Sequence, residues 1–260
     1  MELVRAARFS PAELAALCTA GYEGYYIPLA VDEAAFSFMA NAWDYDLEAS
    51  RVAVTEGTPV GLAMLARRGE DGWIGGVGVS TAARRGGVGE ALMRGVIDEA
   101  RVLGVRRVWL EVLTQNEPAI ALYEKLGFAH VRELEVWSLP GAPGGSPAAP
   151  PKEAHNWIRA HRSEREPWQR ADETVGHLGG VQGLEVEGGA AIVRVTGGRA
   201  SILQLAGEAP AGVEALIELA RGLGDPLSWL NLPAADPAAP ILERLGGQVD
   251  ARQHEMVLEL

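Results

Sequence analysis

Cysteine is nearly absent from this chain. Cys18 is the one thiol among 260 residues, so no intrachain disulfide can form and nothing points to an oxidising compartment. Long apolar runs are missing too. No stretch approaches the roughly 18 residues needed to span a bilayer, and the start, Met1-Glu2-Leu3-Val4-Arg5, has neither the basic region nor the apolar core of a secretory signal. A cytoplasmic protein without membrane association is therefore expected. Basic charge is scarce: residues 1–140 hold 13 Lys and Arg against 19 Asp and Glu, and residues 141–260 hold 10 against 16, a net of −6 in each part. Neither part offers the positive surface that a phosphate backbone requires, which excludes nucleic acid as a partner. An acidic surface mildly favours amines. Metal ligands are sparse as well. His155 and His161 are six apart and do not share a helical face, and no His, Cys and carboxylate set has a metal-site spacing, so no metal is expected.

What is present is a large apolar fraction, 48%, enough for a sizeable core, and one conspicuous break. Residues 140–151 read Pro-Gly-Ala-Pro-Gly-Gly-Ser-Pro-Ala-Ala-Pro-Pro, which suits neither helix nor sheet and reads as a linker. It separates a domain at 1–139 from another at 152–260. In the first, a strand is expected over 2–8, and Ser10 with Pro11 and Glu13 begins a helix. A second helix fits 31–43, and strands fit 50–56, 59–68 and 73–79. The apolar positions 91, 92, 96, 97, 100 and 103 share one helical face, ended by Gly104. A strand over 105–112, a short helix capped by Asn116 and a strand over 129–138 complete it. After the linker come helical composition over 152–176, strands at 181–187, 190–196 and 200–206, a helix at 211–222, a strand at 227–232, a helix at 237–245 and a final strand. The order of elements repeats, and so do short pieces of sequence: Val108-Trp109-Leu110-Glu111 with Ser228-Trp229-Leu230-Asn231, and Glu124-Lys125-Leu126-Gly127 with Glu243-Arg244-Leu245-Gly246.

The segment from Val79 to Leu92 runs strand, loop, helix around Arg84-Arg85-Gly86-Gly87-Val88-Gly89. Glycines let backbone approach a ligand closely, and the N–H groups of a helix start face an anion. The two arginines add mobile positive charge, so the loop reads as a pyrophosphate cradle. No Lys-Ser or Lys-Thr follows the glycines, as a Walker A loop demands, and Leu92 stands where a dinucleotide fold wants a third small residue. A plain glycine-rich turn with solvated arginines is the structural alternative.

Arg84, Gly87 and Gly89 satisfy the acyl-CoA signature of the GNAT superfamily of N-acetyltransferases, and Asn116-Glu117-Pro118-Ala119-Ile120-Ala121-Leu122-Tyr123-Glu124-Lys125-Leu126-Gly127-Phe128 resembles that superfamily's second hallmark. The resemblance is close over about 45–139 and extends to 1–44 in element order. It implies an α/β fold with a mixed, mostly antiparallel sheet flanked by helices, here in two tandem copies. It also implies acetyl-CoA as cosubstrate, bound by Arg84, Arg85, Gly86, Gly87, Val88, Gly89, Asn116 and Tyr123. Val77, Gly78 and Val79 would pair with pantetheine where their strand splays from 107–112.

The resemblance further implies transfer of the acetyl group to a primary amine of a small molecule or peptide, by direct attack in a ternary complex. Tyr123 matches the tyrosine that protonates the leaving thiolate, with a packed core tyrosine as the alternative. Glu111 matches the general base of the ribosomal-protein alanine N-acetyltransferases, which this stretch resembles; a carboxylate paired with an arginine is the alternative. Tyr22, Tyr25 and Tyr26 either wall the acceptor cleft or pack a loop. A non-catalytic acyl-CoA-binding module, another acyl group and a hydroxyl acceptor stay open. In the second copy the loop position reads Ala206-Gly207-Glu208-Ala209-Pro210-Ala211-Gly212, without arginine, and Leu242 or Glu243 replaces Tyr123. That half reads as degenerate, with one acetyl-CoA per chain and a monomer favoured because the chain carries its own pseudo-partner.

Overall fold

Alternation of apolar and polar residues sets most of the strands. In the computed structural model, which describes residues 1–27, 30–144 and 149–260, they fall close to the expected ranges. The chain divides into two compact units, Met1–Val131 with Glu255–Leu260, and Arg132–His254. This division does not fall at the Pro- and Gly-rich segment. The described ends of that segment are held by the second unit: the Gly141 N–H donates to Asp225 at 2.8 Å, the Ala142 N–H to the Arg221 carbonyl at 3.0 Å, and Ala149 bridges Gly183. Residues 145–148 lie outside the described residues.

The first unit begins with β1 (Glu2–Arg5), α1 (Pro11–Gly21) and α2 (Glu33–Ala42). The strand expected over 2–8 stops early because Ala6 and Ala7 turn their N–H groups onto the carbonyls of Ser50 and Leu47. Ser10 and Glu13 form a reciprocal capping box at the start of α1. Then follow β2 (Arg51–Thr55), β3 (Thr58–Arg68), β4 (Asp71–Val79), α3 (Val88–Val102), β5 (Arg107–Leu113), α4 (Glu117–Lys125) and the first residues of β6 (Ala129–Leu139). The strand order is β1-β2-β3-β4-β5, antiparallel throughout except for β4 and β5. One apolar face of α3, with Leu92, Met93, Val96, Ile97 and Ala100, covers one side of the sheet; each such larger side chain contributes about 1.5–3 kcal/mol by burial. On the other side Leu14, Leu17 and Phe36 of α1 and α2 pack on Val52, Leu62 and Met64.

The second unit contains most of β6, α5 (Pro151–His161), a 3-10 turn (Trp168–Arg170), α6 (Asp172–His177), β7 (Val181–Val186), β8 (Gly189–Thr196), β9 (Arg199–Gly207), α7 (Pro210–Arg221), β10 (Leu227–Pro233), α8 (Ala239–Arg244) and the start of β11 (Gln248–Glu259). The helical composition over 152–176 does not yield one helix, because Pro167 cannot continue it and disfavours helical backbone before it. Arg162 instead makes a bidentate pair with Asp172 at 2.7 and 2.6 Å. The order β7-β8-β9-β10, with only β9 and β10 parallel, repeats β2-β3-β4-β5 of the first unit, and β6 lies antiparallel on β10.

The repeat extends to its irregularities. The β3–β4 ladder shifts register so that Gly75 is an extra residue, and the β8–β9 ladder shifts so that Leu203 is. Trp73 lies two residues before Gly75 and pairs with Trp109; Ser201 lies two before Leu203 and pairs with Ser228. Trp109 therefore matches Ser228, and the buried Trp229 matches Leu110. The sequence match of the two Trp-Leu pairs is one residue out of register, and a one-residue slip in a strand reverses the faces.

Met256 and Leu258 sit in the core of the first unit with Tyr123 and Phe128, although the whole of residues 132–254 separates them from it in sequence. Met256→Ala and Leu258→Ala should each destabilise the protein by about 2–5 kcal/mol. Denaturant unfolding followed by circular dichroism checks this; a cost below ~0.5 kcal/mol for both would show that the first unit does not depend on these residues.

Candidate active site

β4 and β5 pair only at Asp71–Arg107, Gly72–Val108 and Trp73–Trp109. Beyond that point, among the described residues, β4 keeps its ladder with β3 up to Val79 but has no partner on the β5 side. The extra residue at Gly75 lies just past the last paired position, and a bulge increases local twist. The opening between Gly76–Val79 and Glu111–Leu113 follows from that bulge. Val77 and Val79 turn their side chains into the α3 core. Gly78 turns the other way and lies against Gly21 at the end of α1, where a Cβ on Gly21 would stand 2.7 Å from the Gly78 Cα.

At the open end, the loop after β4 makes a 3-10 turn (Thr81–Ala83) and then two left-handed residues, Arg85 at φ 64° and Gly87 at φ 77°. Gly87 caps α3, and the first bond back into the helix start runs from the Ala91 N–H to the Gly87 carbonyl at 3.0 Å. The N–H groups of the preceding turn are those that a helix cannot satisfy itself. A Cβ at Gly87 would meet nothing within 4 Å, so its need for glycine is conformational. Val88 is buried in the core, while Arg85, Gly86 and Gly87 are exposed.

Arg84 differs from the mobile cation expected. Its guanidinium donates to three carbonyls, those of Val79 (3.0 Å), Gly21 (3.1 Å) and Glu23 (2.6 Å). It clamps the end of α1 to the end of β4. Of the two arginines, Arg85 is the one not tied to these carbonyls, and it is exposed.

Four of the chain's five tyrosines meet along the opening. Asn116 caps α4 by accepting from the Ala119 N–H at 3.4 Å and donates its amide to the Tyr25 hydroxyl at 3.2 Å. Tyr25 makes edge contacts with Tyr22 at 5.2 Å and with Tyr26 at 5.4 Å. Tyr26 itself is half exposed. Burial raises the Tyr123 phenol above its usual range, and neighbouring Tyr25 raises it further; Tyr22 is raised by burial, then by Tyr25, Tyr123 and Cys18. These phenols keep their protons at neutral pH. Burial also pushes the Cys18 thiol up to about 12, which leaves it an inert part of the α1 core.

Glu111 is held in a way the sequence does not disclose. Its Oε2 accepts from the Trp73 indole N–H at 2.7 Å. The Trp73 ring stacks on Tyr45 with centroids 6.0 Å apart and meets Trp43 edge-on at 5.6 Å. A Cβ at Gly75 would collide with the Trp73 ring and come within 2.5 Å of the Tyr45 hydroxyl, and one at Gly76 would stand 3.3 Å from the Tyr22 hydroxyl. The paired glycines thus leave room for two phenols and an indole. Tyr45 and Trp73 are the residues that motif reasoning missed; Gly75-Gly76 inside an apolar strand was the available signal.

Residues 14–128 match the model of the acetyltransferase (GNAT) family. Over this part the chain is similar to that family. Over 52 residues the chain is 48% identical to the [ribosomal protein bS18]-alanine N-acetyltransferase of Escherichia coli (strain K12), a match that covers 20% of this chain and 35% of that relative. The chain thus spans about a third of the length of that curated relative. The crystal structure of a GCN5-related N-acetyltransferase from Sphaerobacter thermophilus has a TM-score of 0.68 at 18% identity, over 99% of this chain and 95% of that one. A tandem GNAT protein from the clavulanic acid biosynthesis pathway, solved without AcCoA, has a TM-score of 0.65 at 17% identity, over 99% and 98%. At these identities the two structures show a common fold. Enzymes of the family use acetyl-CoA. Among the described residues no cluster of three or more His, Cys, Asp or Glu could hold a metal ion, and no helix is long and apolar enough to cross a membrane.

Gly75→Ala should destabilise the first unit by about 1–3 kcal/mol, because the added Cβ displaces packed rings, and should shift tryptophan fluorescence as Trp73 moves. Thermal denaturation with emission spectra tests this. An unchanged melting temperature and an unchanged spectrum would mean that the ring cluster tolerates a side chain at the bulge.

Proposed function

We propose that the first unit transfers an acetyl group from acetyl-CoA to a primary amine of a small molecule or peptide, by direct attack of the amine in a ternary complex. The observation that carries this reading is the end of β4–β5 pairing after three positions, beside a glycine-capped helix start. The opening leaves β4 backbone groups available to an extended amide-bearing chain, and the helix start suits its diphosphate. Gly86, Gly87, Val88 and Gly89 would hold the diphosphate through backbone N–H groups, with Arg85 as the cation and Arg84 keeping the loop in place. Gly76 to Val79 would hold the pantetheine arm. When bound, acetyl-CoA supplies a thioester already activated for acyl transfer.

The remaining work falls to this chain's side chains. Glu111 accepts the proton that an amine must lose to attack. Trp73 fixes one carboxylate oxygen by its indole N–H, which orients the group. Tyr123, protonated at neutral pH, donates a proton to the departing sulfur. Tyr22 and Tyr25 border the acceptor side, with Tyr26 at the exposed rim. The relative from Escherichia coli named for its action on an alanine of ribosomal protein bS18 supports an amine acceptor of this kind, through the 52 residues that the two chains share.

The second unit is read as a degenerate copy that takes no acyl-CoA. Its helix α7 begins at Ala209-Pro210, after Glu208, without a left-handed glycine cap. The parting ends of β9 and β10 are bridged by the chain itself: the Gln204 amide donates to the Arg170 carbonyl at 2.7 Å, and the Asn231 amide to Gln169 at 3.1 Å. Leu242 occupies the position of Tyr123, since the Gly247 N–H bonds its carbonyl as the Phe128 N–H bonds that of Tyr123. Where β5 carries Glu111, β10 has the irregular pair Leu230-Asn231, with Asn231 at φ 55°.

The test is thiol release from acetyl-CoA against a panel of amines, polyamines, aminoglycosides, amino acids and N-terminal peptides. With an accepted amine, Tyr123→Phe should lower kcat by about 10²–10⁴-fold and leave acetyl-CoA affinity nearly unchanged. Trp73→Phe should reduce kcat less, because the carboxylate loses the donor that orients it. Full turnover in both variants would remove the acid and base assignments. Calorimetric titration should give one acetyl-CoA per chain; a stoichiometry of two would overturn the reading of the second unit.

A further inference from the structure

The bridging of β9 and β10 does not close their opening completely. A cavity of about 180 Å³ remains in the second unit, between the end of β9 at Leu205–Gly207, Trp229 of β10 and the segments around Glu166 and Asp236. An apolar cavity of ~150 Å³ is large enough for a benzene ring, so this one admits a molecule of about six to ten non-hydrogen atoms. Its lining is not apolar.

Two groups on its wall are incompletely matched. Trp229 is 2% exposed, and its indole N–H meets no acceptor among the described residues. An indole can only donate, and a buried donor left unmade costs about 1–3 kcal/mol. Asp236 accepts from the Ala238 N–H at 2.8 Å and forms no side-chain ion pair among the described residues. Burial raises its carboxyl above the ordinary range, an effect that the Ala238 bond and the more distant Arg170 and Arg132 only partly offset. The other two acids on the wall are paired, Glu166 with Arg170 at 2.8 Å and Glu164 with Arg132 at 2.7 Å. A buried donor without an acceptor and a carboxylate without an ion pair therefore line the same small space.

The charges around them narrow the ligand. A simple anion would meet Asp236, Glu164 and Glu166. A simple cation would satisfy Asp236 but leave the Trp229 donor unanswered and meet Arg162 and Arg170. A molecule with a positive group at one end and an acceptor at the other answers both. We propose that this cavity binds a small zwitterion, an ammonium and a carboxylate on a short apolar body of the size of a free α-amino acid, with its ammonium on Asp236 and its carboxylate on the Trp229 indole N–H. Leu205, Val213 and Pro233 offer apolar wall to the body. The site lies wholly within the second unit and does not depend on the reaction assigned to the first.

The experiment is calorimetry on the full chain with each of the twenty standard L-amino acids. The strongest binder is then compared with two analogues of the same carbon skeleton, one bearing only the amine and one only the carboxylate. The expected result is saturable binding of at least one amino acid at one per chain, with both analogues at least tenfold weaker. Asp236→Asn keeps an oxygen for the Ala238 N–H but not the charge, and should weaken binding at least tenfold. Trp229→Phe should also weaken it, provided its melting curve stays cooperative; if it does not, Asp236→Asn decides alone. No binding by any amino acid, equal binding of the amine-only or carboxylate-only analogue, or undiminished binding by Asp236→Asn each overturns the proposal. Gly87→Val, which disturbs only the loop of the first unit, should leave amino-acid binding unchanged, so failure of the acetyl-CoA reading and failure of this one are separable.

Discussion

The bulge at Gly75 is the constraint on which the candidate active site depends. Without an extra residue there, β4 and β5 would continue in register past Trp73 and Trp109, and no strand edge would open beside the loop. The bulge is stable because the space above it holds the Trp73 ring and the Tyr45 hydroxyl rather than a side chain of its own. The same rings carry the hydrogen bond that orients Glu111. Backbone geometry, aromatic packing and placement of the carboxylate are thus one arrangement, and a change in any of them displaces the others.

The anion loop and the tyrosine helix were legible in the sequence because each is local. A glycine cap, a helix start and an Asn cap are decided within a few residues, and Gly87, Asn116 and Gly127 behave as their spacing predicts. Long-range partners were not legible. Nothing near Arg84 says that its guanidinium will meet carbonyls some sixty positions earlier, and nothing near Glu111 names Trp73 as its donor. The repeat was visible as an order of elements but not in register: the eye aligns Trp109 with Trp229, whereas the ladder aligns Trp109 with Ser228. Composition marked residues 140–151 as a break, yet hydrogen bonds to Asp225, Arg221 and Gly183 hold its described ends to the second unit.

The two units show what the same framework does with and without glycine at the bulge. Leu203 stands where Gly75 does, and Gln204 where Gly76 does. The Gln204 side chain is buried and reaches across to the Arg170 carbonyl and to Asp172. Asp172 in turn is held below the usual carboxylate range, against the effect of burial, by Arg162, Gln204 and His155. An opening left clear in one unit is, in the other, crossed by polar side chains that each have a partner. Loss of the glycines is coupled to that crossing, because a long amide needs the space that two phenols and an indole occupy in the first unit.

Residues 255–260 complete the first unit only after the intervening stretch 132–254 has been made. At a ribosome, the core around Phe128 and Tyr123 must wait for Met256 and Leu258 while an entire second unit emerges. During that interval the growing chain exposes an apolar slot, the kind of surface that attracts chaperones or other nascent chains. Formation of the Gly87-capped loop can precede that moment, since Val88 to Val102 pack on strands made earlier. The first unit is in this sense a body that is completed last by its own C-terminal residues.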